Sequence, residues 1–343
     1  MSRTMQRDTR NDQRPPLGRV VVPLVIALLL GVWPAQADRP VHTYSIVARD
    51  PATGEMGVAV QSHWFSVGSI VTWADAGVGA IATQSFVDPG YGPRGLNLLR
   101  SGLSAEKTLV GLLAADDQRA VRQVAIVDAR GGVAAHTGER AIVAAGHHVG
   151  AQYSVQANLM ANDRVWPAMA RAFEDTEGDL ATRMLAALAA AQAEGGDIRG
   201  KQSAALLIVK GESTGRPWVG GDWVVDLRVD DAPDPIAELT RLVRLQRAYN
   251  HANRGDELFS EQQVDEALAQ YAAAAELAPE IEELPFWQAV TLITIGREAE
   301  ALSIFREVFA INRDWAELVP RLPAAGLLPD DAALIARIVA QVP

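Results

Sequence analysis

Residues 43–60 begin with a regular alternation of apolar and polar positions. Thr43–Arg49 place apolar side chains on one face and more polar ones on the other, and this period of two predicts a β-strand. A turn follows at residues 50–54, where a proline presets φ and a glycine can take positive φ. Residues 56–60 are small and apolar on both faces, which is typical of a strand covered on both sides. The pattern predicts a tight β-hairpin that begins the folded domain with a threonine.

The register of this hairpin brings polar residues close to Thr43. Pairing Arg49 with Glu55 beside the turn places Thr43 opposite Gln61, within about two residues. Gln61 begins a polar run that continues to residue 63. We therefore expect this run to lie next to the threonine.

The remaining elements follow in blocks of one kind. The patterns predict strands at 69–73, 79–85, 121–128, 133–136, 147–157, 203–210 and 223–229, and helices at 90–101, from Ser104 onward, at 165–174 and at 179–194. Ser104 is an N-cap residue before an acidic first turn. Because strictly alternating βαβ units are absent, an α+β fold with mostly antiparallel sheets and helices on outer faces is favoured over a doubly wound parallel sheet.

The chain becomes entirely helical after a proline-broken linker at 231–235. Three pairs of residues recur at a spacing of 34, namely Ala267 and Ala301, Tyr271 and Phe305, and Gly255 and Ala289. Small residues that let helices approach, with an aromatic between them, are typical of tetratricopeptide repeats. The second unit has Arg313 where a closing proline is expected, so a plain array of helical hairpins is the alternative. Ala332–Val339 could form a capping helix.

The first 37 residues predict a secretory signal peptide. Five arginines precede an apolar run at 20–33, and the Ala-Gln-Ala motif at 35–37 is a cleavage pattern. The run contains Pro23 and Gly31 and is too short to span a bilayer, so a stable membrane anchor is not expected. We expect an exported, periplasmic or secreted protein with three parts: signal peptide 1–37, an α+β domain 38–235 and a helical domain 236–343.

Charge and composition exclude several functions. Removing the five arginines and two aspartates of the leader changes the net charge from −11 to −14, which disfavours nucleic acid and anionic membrane surfaces as partners. The chain has no cysteine, so it has no disulfide, thiolate nucleophile or cysteine metal site. No HExxH, GxSxG or Walker pattern occurs, and we expect neither a metal nor another cofactor.

Between Thr43 and about Leu239 the chain resembles domain-of-unknown-function family 1028, which is placed in the N-terminal nucleophile (Ntn) hydrolase superfamily. The blocks that carry the resemblance are TYSIVA at 43–48, GVAVQS at 57–62, AGVGA at 76–80, YGPRG at 91–95, AHTG at 135–138, GGDIRGKQSAA at 195–205 and VDLRVDD at 225–231. The resemblance implies a four-layer αββα sandwich, which the element order only allows. It implies no known substrate, because the family is biochemically uncharacterised.

The resemblance makes Thr43 a candidate catalytic nucleophile. In Ntn hydrolases the first residue of the mature chain attacks the substrate, and its free α-amine, with a pKa of about 8, acts as general base. Signal cleavage after Ala37 would leave five residues ahead of Thr43, and an acylated nitrogen is not a base. This route therefore requires a second cut between His42 and Thr43. The alternative is that Thr43 is simply a β-branched strand residue.

Other polar residues are candidates for the same site. Asn158 could stabilise an oxyanion or cap the next helix, and Asp197 could brace Arg199 in a glycine-rich turn where Arg199 and Lys201 hold an anion. The candidate substrate-binding residues are Gln61, Ser62, His63, Arg94, Asp197, Arg199, Lys201 and Gln202. Each also has a structural interpretation, as a solvated strand end, a turn residue or a helix cap.

Two functional hypotheses follow. The first is an exported hydrolase of amide or peptide-like bonds, acting on an unidentified small molecule or peptide through Thr43. The second is a non-catalytic binding or scaffold protein that docks a protein partner on its helical tail. A homo-oligomer is compatible with both.

Overall fold

The computed structural model describes residues 43–216 and 221–343, so the predicted signal peptide lies outside the described residues. The strands are β1 Thr43–Arg49, β2 Met56–Ser62, β3 Thr72–Asp75, β4 Gly79–Ser85, β5 Arg122–Asp128, β6 Val133–Thr137, β7 Gly146–Gly150, β8 Tyr153–Ala157, β9 Ser203–Val209 and β10 Trp223–Val229. The helices are α1 Gly68–Val71, α2 Tyr91–Arg100, α3 Ala105–Ala114, α4 Val165–Asp175, α5 Leu180–Ala193, α6 Pro235–Ser260, α7 Val264–Leu277, α8 Glu283–Thr294, α9 Glu298–Ile311, α10 Asp314–Leu318 and α11 Ala332–Val339. Short 3-10 turns lie at Arg119–Val121, Val319–Arg321 and Pro323–Ala325.

The strands form two antiparallel sheets that pack face to face. One sheet has six strands in the order β10-β9-β2-β1-β8-β7, and the other has four in the order β3-β4-β5-β6. Val47, Val58 and Val60 of the first sheet share a buried core with Ala82 and Val127 of the second. This core between the sheets explains why the residues of β2 are buried on both faces.

Helices cover the outer face of each sheet. Helices α4 and α5 and the start of α6 bury apolar residues against the six-stranded sheet. Helices α2 and α3 do the same on the four-stranded sheet, with Leu96, Leu109 and Leu112 in the core. The order of layers is therefore helices, sheet, sheet, helices, which is the expected α+β sandwich. Ser104 caps α3 as expected, because its hydroxyl accepts a hydrogen bond from the Lys107 amide.

Two segments differ from the sequence-based expectation. Residues 147–157 are not one strand: β7 and β8 form a hairpin whose two-residue loop contains Gln152 at a φ of 62°, without the Asn-Gly signature of such turns. Residues 69–73 are also not one strand, because α1 precedes β3. A Cβ atom on Gly68 would lie 2.5 Å from Ala205 Cβ, so this short helix depends on a close approach that only glycine allows.

The first hairpin forms with a register shifted by one residue. Thr43 lies opposite Ser62 rather than Gln61, and Arg49 lies opposite Met56. The shift arises because Glu55 belongs to the turn, where its carbonyl accepts a hydrogen bond from the Asp50 amide at 2.8 Å. The difference falls within the margin of two residues that the sequence allowed.

The helical region places the recurring residues at equivalent positions in two consecutive helical hairpins. The end of α6 pairs with α7, where a Cβ on Gly255 would lie 2.6 Å from the Tyr271 ring. Ala289 of α8 and Phe305 of α9 are both fully buried in the next hairpin. Helix α11 has the predicted bounds. The first turns of α6 pack on the sandwich while its last turns pack on α7, so the boundary at residue 235 remains a prediction.

Candidate functional site

Thr43 begins β1 in the middle of the six-stranded sheet and is fully buried. Its Oγ1 donates a hydrogen bond of 3.2 Å to Ser62 Oγ, directly opposite on β2. Its carbonyl oxygen accepts hydrogen bonds of 3.1 Å from the Asn158 backbone amide and from Gln84 Nε2. The Asn158 side-chain nitrogen lies 3.4 Å from the same oxygen. Thr43, Ser62 and Asn158 are thus brought together at one end of β1.

A buried network of side-chain amides connects this threonine to both sheets. We call Ser45, Gln84, Gln123, Gln156 and Asn158 the inter-sheet amide network. Gln84 Nε2 donates to Gln123 Oε1 at 2.7 Å, and Asn158 Nδ2 donates to the same oxygen at 2.9 Å. Ser45 Oγ donates to Gln84 Oε1 and accepts from Gln156 Nε2, both at 2.6 Å. All five residues are completely buried.

Of these five residues, only Asn158 is predicted from the sequence as a site residue. Each glutamine lies in a strand that is mainly but not wholly apolar, a pattern that also fits a face exposed to water. A signal was nevertheless present, because a glutamine in a strand apolar on both sides needs hydrogen-bond partners within the protein. Burial between two sheets provides those partners, and it holds the start of β1 in a fixed position.

The network reaches the molecular surface at His147. Gln123 Nε2 donates to Thr137 Oγ1 at 2.9 Å, and the same hydroxyl lies 2.8 Å from His147 Nδ1. Partial desolvation lowers the pKa of His147, and the nearby His136 and His148 lower it further. The imidazole therefore titrates at a more acidic pH than a free histidine.

The glycine-rich block at 195–202 lies beside Thr43 and is held by Asp197. This carboxylate is buried, and it receives hydrogen bonds from Arg199 Nε at 3.1 Å and Arg199 Nη2 at 2.7 Å. It also accepts the backbone amide of His63 at 3.1 Å. The bracing of Arg199 by Asp197 occurs as the sequence suggested, and it connects this block to the end of β2.

Both cations of the block are paired with carboxylates. Lys201 Nζ lies 2.7 Å from Asp234 Oδ2, in addition to the Arg199 pair with Asp197. Gln202 joins its backbone amide to the Ser62 carbonyl and its side chain to Asp231. An anion that binds Arg199 or Lys201 would have to compete with the aspartate that is already paired with that side chain.

The loops at 142–144 and 159–161 meet at the block. Backbone hydrogen bonds join Leu159 and Met160 to the loop at 142–144, and join residues 159–161 to residues 196–198. Val143 and Ile198 are 83% and 64% exposed here, and Phe65, in the segment that follows β2, is 64% exposed. Leu159 has a positive φ, an unfavourable conformation that is common where a loop serves a function. We call Phe65, Val143 and Ile198 the apolar rim.

Gln61 and Arg94 are placed differently from the other candidates. Gln61 pairs with Tyr44 and faces the α4–α5 layer, where its buried amide has no hydrogen-bond partner within the described part of the chain. Burial raises the pKa of the neighbouring Tyr44 hydroxyl, and the carboxylates of Asp197 and Asp234 raise it further. Arg94 lies on α2, pairs with Asp88 at 2.5 Å and borders an outer groove of about 490 Å³.

Within residues 43–216 and 221–343, no group of three or more histidine, aspartate or glutamate side chains is arranged to hold a metal ion. The same residues contain no helix that is both long enough and apolar enough to cross a bilayer.

Comparison with known proteins places the sandwich in a family. The crystal structure of protein SPO2555 from Silicibacter pomeroyi, itself assigned to family DUF1028, superposes with a TM-score of 0.52 at 31% sequence identity. The match covers 59% of this chain and 88% of the other. No curated protein matches the chain. The model of the family of unknown function DUF1028 matches residues 43–239, which is more than half of the sequence, and the chain therefore belongs to this family.

Proposed function

We propose that this protein hydrolyses amide or peptide-like bonds with Thr43 as an N-terminal nucleophile. The observation that carries the proposal is the position of Thr43: it begins a central strand, with its hydroxyl on Ser62 and its carbonyl held by Gln84 and Asn158. A threonine fixed in this way has few rotational states to lose on reaction. Fixing a reacting group beforehand is a major source of catalytic rate.

The proposed reaction proceeds through an ester of Thr43. The free α-amine removes the proton from Oγ1 as the oxygen attacks the substrate carbonyl carbon. The C–N bond of the substrate breaks, the leaving amine takes that proton, and water then hydrolyses the ester. Asn158 Nδ2 lies beside the Thr43 carbonyl at 3.4 Å and is the candidate donor to the oxyanion. Ser62 orients the hydroxyl.

The surroundings of Thr43 suggest an uncharged substrate with an apolar portion. Arg199 and Lys201 are both paired with aspartates, so neither provides an unneutralised charge for an anion. Ile198 of the apolar rim is 64% exposed within the block and offers an apolar contact surface. His63, whose backbone amide donates to Asp197, and Gln202 of the block are the polar contacts that we propose for the substrate.

This mechanism requires a cut between His42 and Thr43. In the uncut chain the Thr43 nitrogen is an amide, which cannot accept the proton of the hydroxyl. Thr43 is also fully buried, so its hydroxyl is not exposed to a substrate in solution before the cut. Attack of Thr43 Oγ1 on the preceding carbonyl, followed by hydrolysis of the resulting ester, would release the amine and leave Thr43 as the first residue.

Intact-mass measurement of the exported protein tests the proposal. We expect a chain that begins at Thr43, and we expect Thr43→Ala to keep the preceding residues and to lack activity on a panel of amides. Thr43→Ser should retain both reactions, since it keeps the hydroxyl. Thr53→Ala, in the exposed turn of the same hairpin, is the matched control and should behave as wild type. A wild-type chain that begins at Asp38, or activity retained by Thr43→Ala, would refute the mechanism.

The full burial of Thr43 and Asn158 favours a second candidate function, that of a non-catalytic binding protein. In this case the sandwich is a scaffold and the helical region contacts a partner. Purification of a stable chain that starts at Asp38 and hydrolyses no amide would support it.

A further inference from the structure

A second concave site lies in the helical region, away from Thr43. Helices α6, α7 and α8 and the turn at Gly326 enclose a cavity of about 390 Å³. This volume lies within the range of small-molecule binding sites, roughly 300–1,000 Å³. The residues that line it include Asp256, Phe259, Tyr271, Trp287, Thr291 and Leu327.

The wall of this cavity is mainly aromatic. Phe259, Tyr271 and Trp287 come from three different helices and converge on the same space. Trp287 is held from outside the cavity, because its Nε1 points to Glu283 Oε1 at 3.4 Å. Leu327 also lines this cavity and is 44% exposed. Aromatic faces attract both apolar groups and cations, since the ring face carries negative charge density.

The carboxylate of Asp256 favours a cation over a neutral apolar group as the ligand of this cavity. Asp256 lines the cavity, and its Oδ1 accepts a hydrogen bond of 2.7 Å from the Tyr271 hydroxyl, which fixes the carboxylate at the aromatic wall. Arg254, two residues before Asp256 on the same helix, pairs with Glu257 at 2.9 Å. Among the residues that the structure describes, no arginine or lysine lines the cavity. A positive ligand is therefore favoured over a neutral one.

The helical region as a whole is negatively charged, like Asp256. Residues 236–343 contain nine arginines, no lysine and 17 aspartates and glutamates, so an approaching cation meets a negative field. An anion would be repelled by the same charges.

From these observations we propose that the cavity binds an organic ammonium group. The positive charge lies beside Asp256 and against the ring of Trp287, and the alkyl portion contacts Phe259 and Leu327. This site does not depend on Thr43, so it would exist in either a hydrolase or a binding protein.

Calorimetric titration of the full chain with matched pairs of ligands tests the proposal. The probes are choline with its neutral isostere 3,3-dimethylbutan-1-ol, and n-butylammonium with butan-1-ol. We expect at least one cation to bind about tenfold more tightly than its neutral partner, as a cation–aromatic contact next to a carboxylate provides. Stronger binding of choline would identify a quaternary ammonium ligand, and stronger binding of n-butylammonium a primary amine such as a lysine side chain.

Two variants locate the effect. Asp256→Asn keeps an oxygen for the Tyr271 hydroxyl but removes the charge, and it should reduce cation affinity about tenfold without changing the affinity for the alcohols. Asp265→Asn removes an exposed charge outside the cavity and should leave both affinities unchanged. Equal affinities for cations and alcohols, absence of binding at millimolar concentration, or full cation affinity in Asp256→Asn would each overturn the proposal.

Discussion

Gln123 is the residue whose replacement tests the inter-sheet amide network most directly. Its Nε2 donates to Thr137 Oγ1 at 2.9 Å, to the Gly146 carbonyl at 3.1 Å and to the Ala157 carbonyl at 2.9 Å. Its Oε1 accepts from Gln84 and Asn158. Gln123→Leu removes all of these bonds while filling nearly the same volume.

The expected loss of stability follows from the groups left behind. The two hydrogens on Nε2 are shared among three acceptors, so the equivalent of two neutral buried hydrogen bonds is lost here, at about 1 kcal/mol each. Gln84 and Asn158 lose an acceptor but keep the Thr43 carbonyl within 3.1 and 3.4 Å, so their loss is smaller. The free energy of unfolding should fall by about 2–4 kcal/mol, which is less than the total stability of many domains.

Urea unfolding followed by circular dichroism measures this loss as a lower midpoint. Gln118→Leu is the matched control, because Gln118 lies in an exposed turn four residues before the same strand begins, and it should change stability by less than about 0.5 kcal/mol. A Gln123→Leu variant within about 1 kcal/mol of wild type would show that the network is not a stabilising part of the fold.

Two further changes test packing and titration. Gly255→Ala should destabilise the protein by about 1–3 kcal/mol in thermal unfolding, because its Cβ would lie 2.6 Å from the Tyr271 ring. Gly111→Ala, whose nearest neighbour would be 3.9 Å away, should instead stabilise by about 0.5–1 kcal/mol, and equal effects would contradict the packing argument. Because the folded-state pKa of His147 is depressed, the unfolded chain binds more protons below about pH 6.5, and stability falls as pH decreases through that range. Measured from pH 7.5 to 5, His147→Gln should lose less stability than wild type, and an unchanged pH dependence would refute this role.

Local patterns in the sequence predicted most of the individual elements. The first hairpin, the Ser104 cap and the bounds of α11 depend on alternation, turn residues and capping, which act within a few residues. The two wrong predictions, at residues 69–73 and 147–157, concern segments whose structure depends on long-range contacts. Gly68 forms a helix because it packs against Ala205, and the loop at Gln152 lies beside β1, where its carbonyl accepts the Arg49 amide.

The candidate site was only partly predictable for the same reason. Asp197 and Arg199 are two residues apart in a glycine-rich turn, so their pairing could be inferred locally. Gln84 and Gln123 are 39 residues apart and lie on adjacent strands of one sheet. Nothing in their local sequence shows that they bond to each other, or that Gln84 donates to the Thr43 carbonyl.

By itself, the sequence determined the kinds of element, the helical character of the region after residue 235 and the presence of Thr43 at the start of the first strand. Only the tertiary structure decided that the polar faces of β1, β4, β5 and β8 meet each other instead of water. Strand periodicity specifies two faces but not what covers them, and burying amides is favourable only when each one finds a partner. The face-to-face packing of the two sheets supplied those partners, and it fixed Thr43 among them.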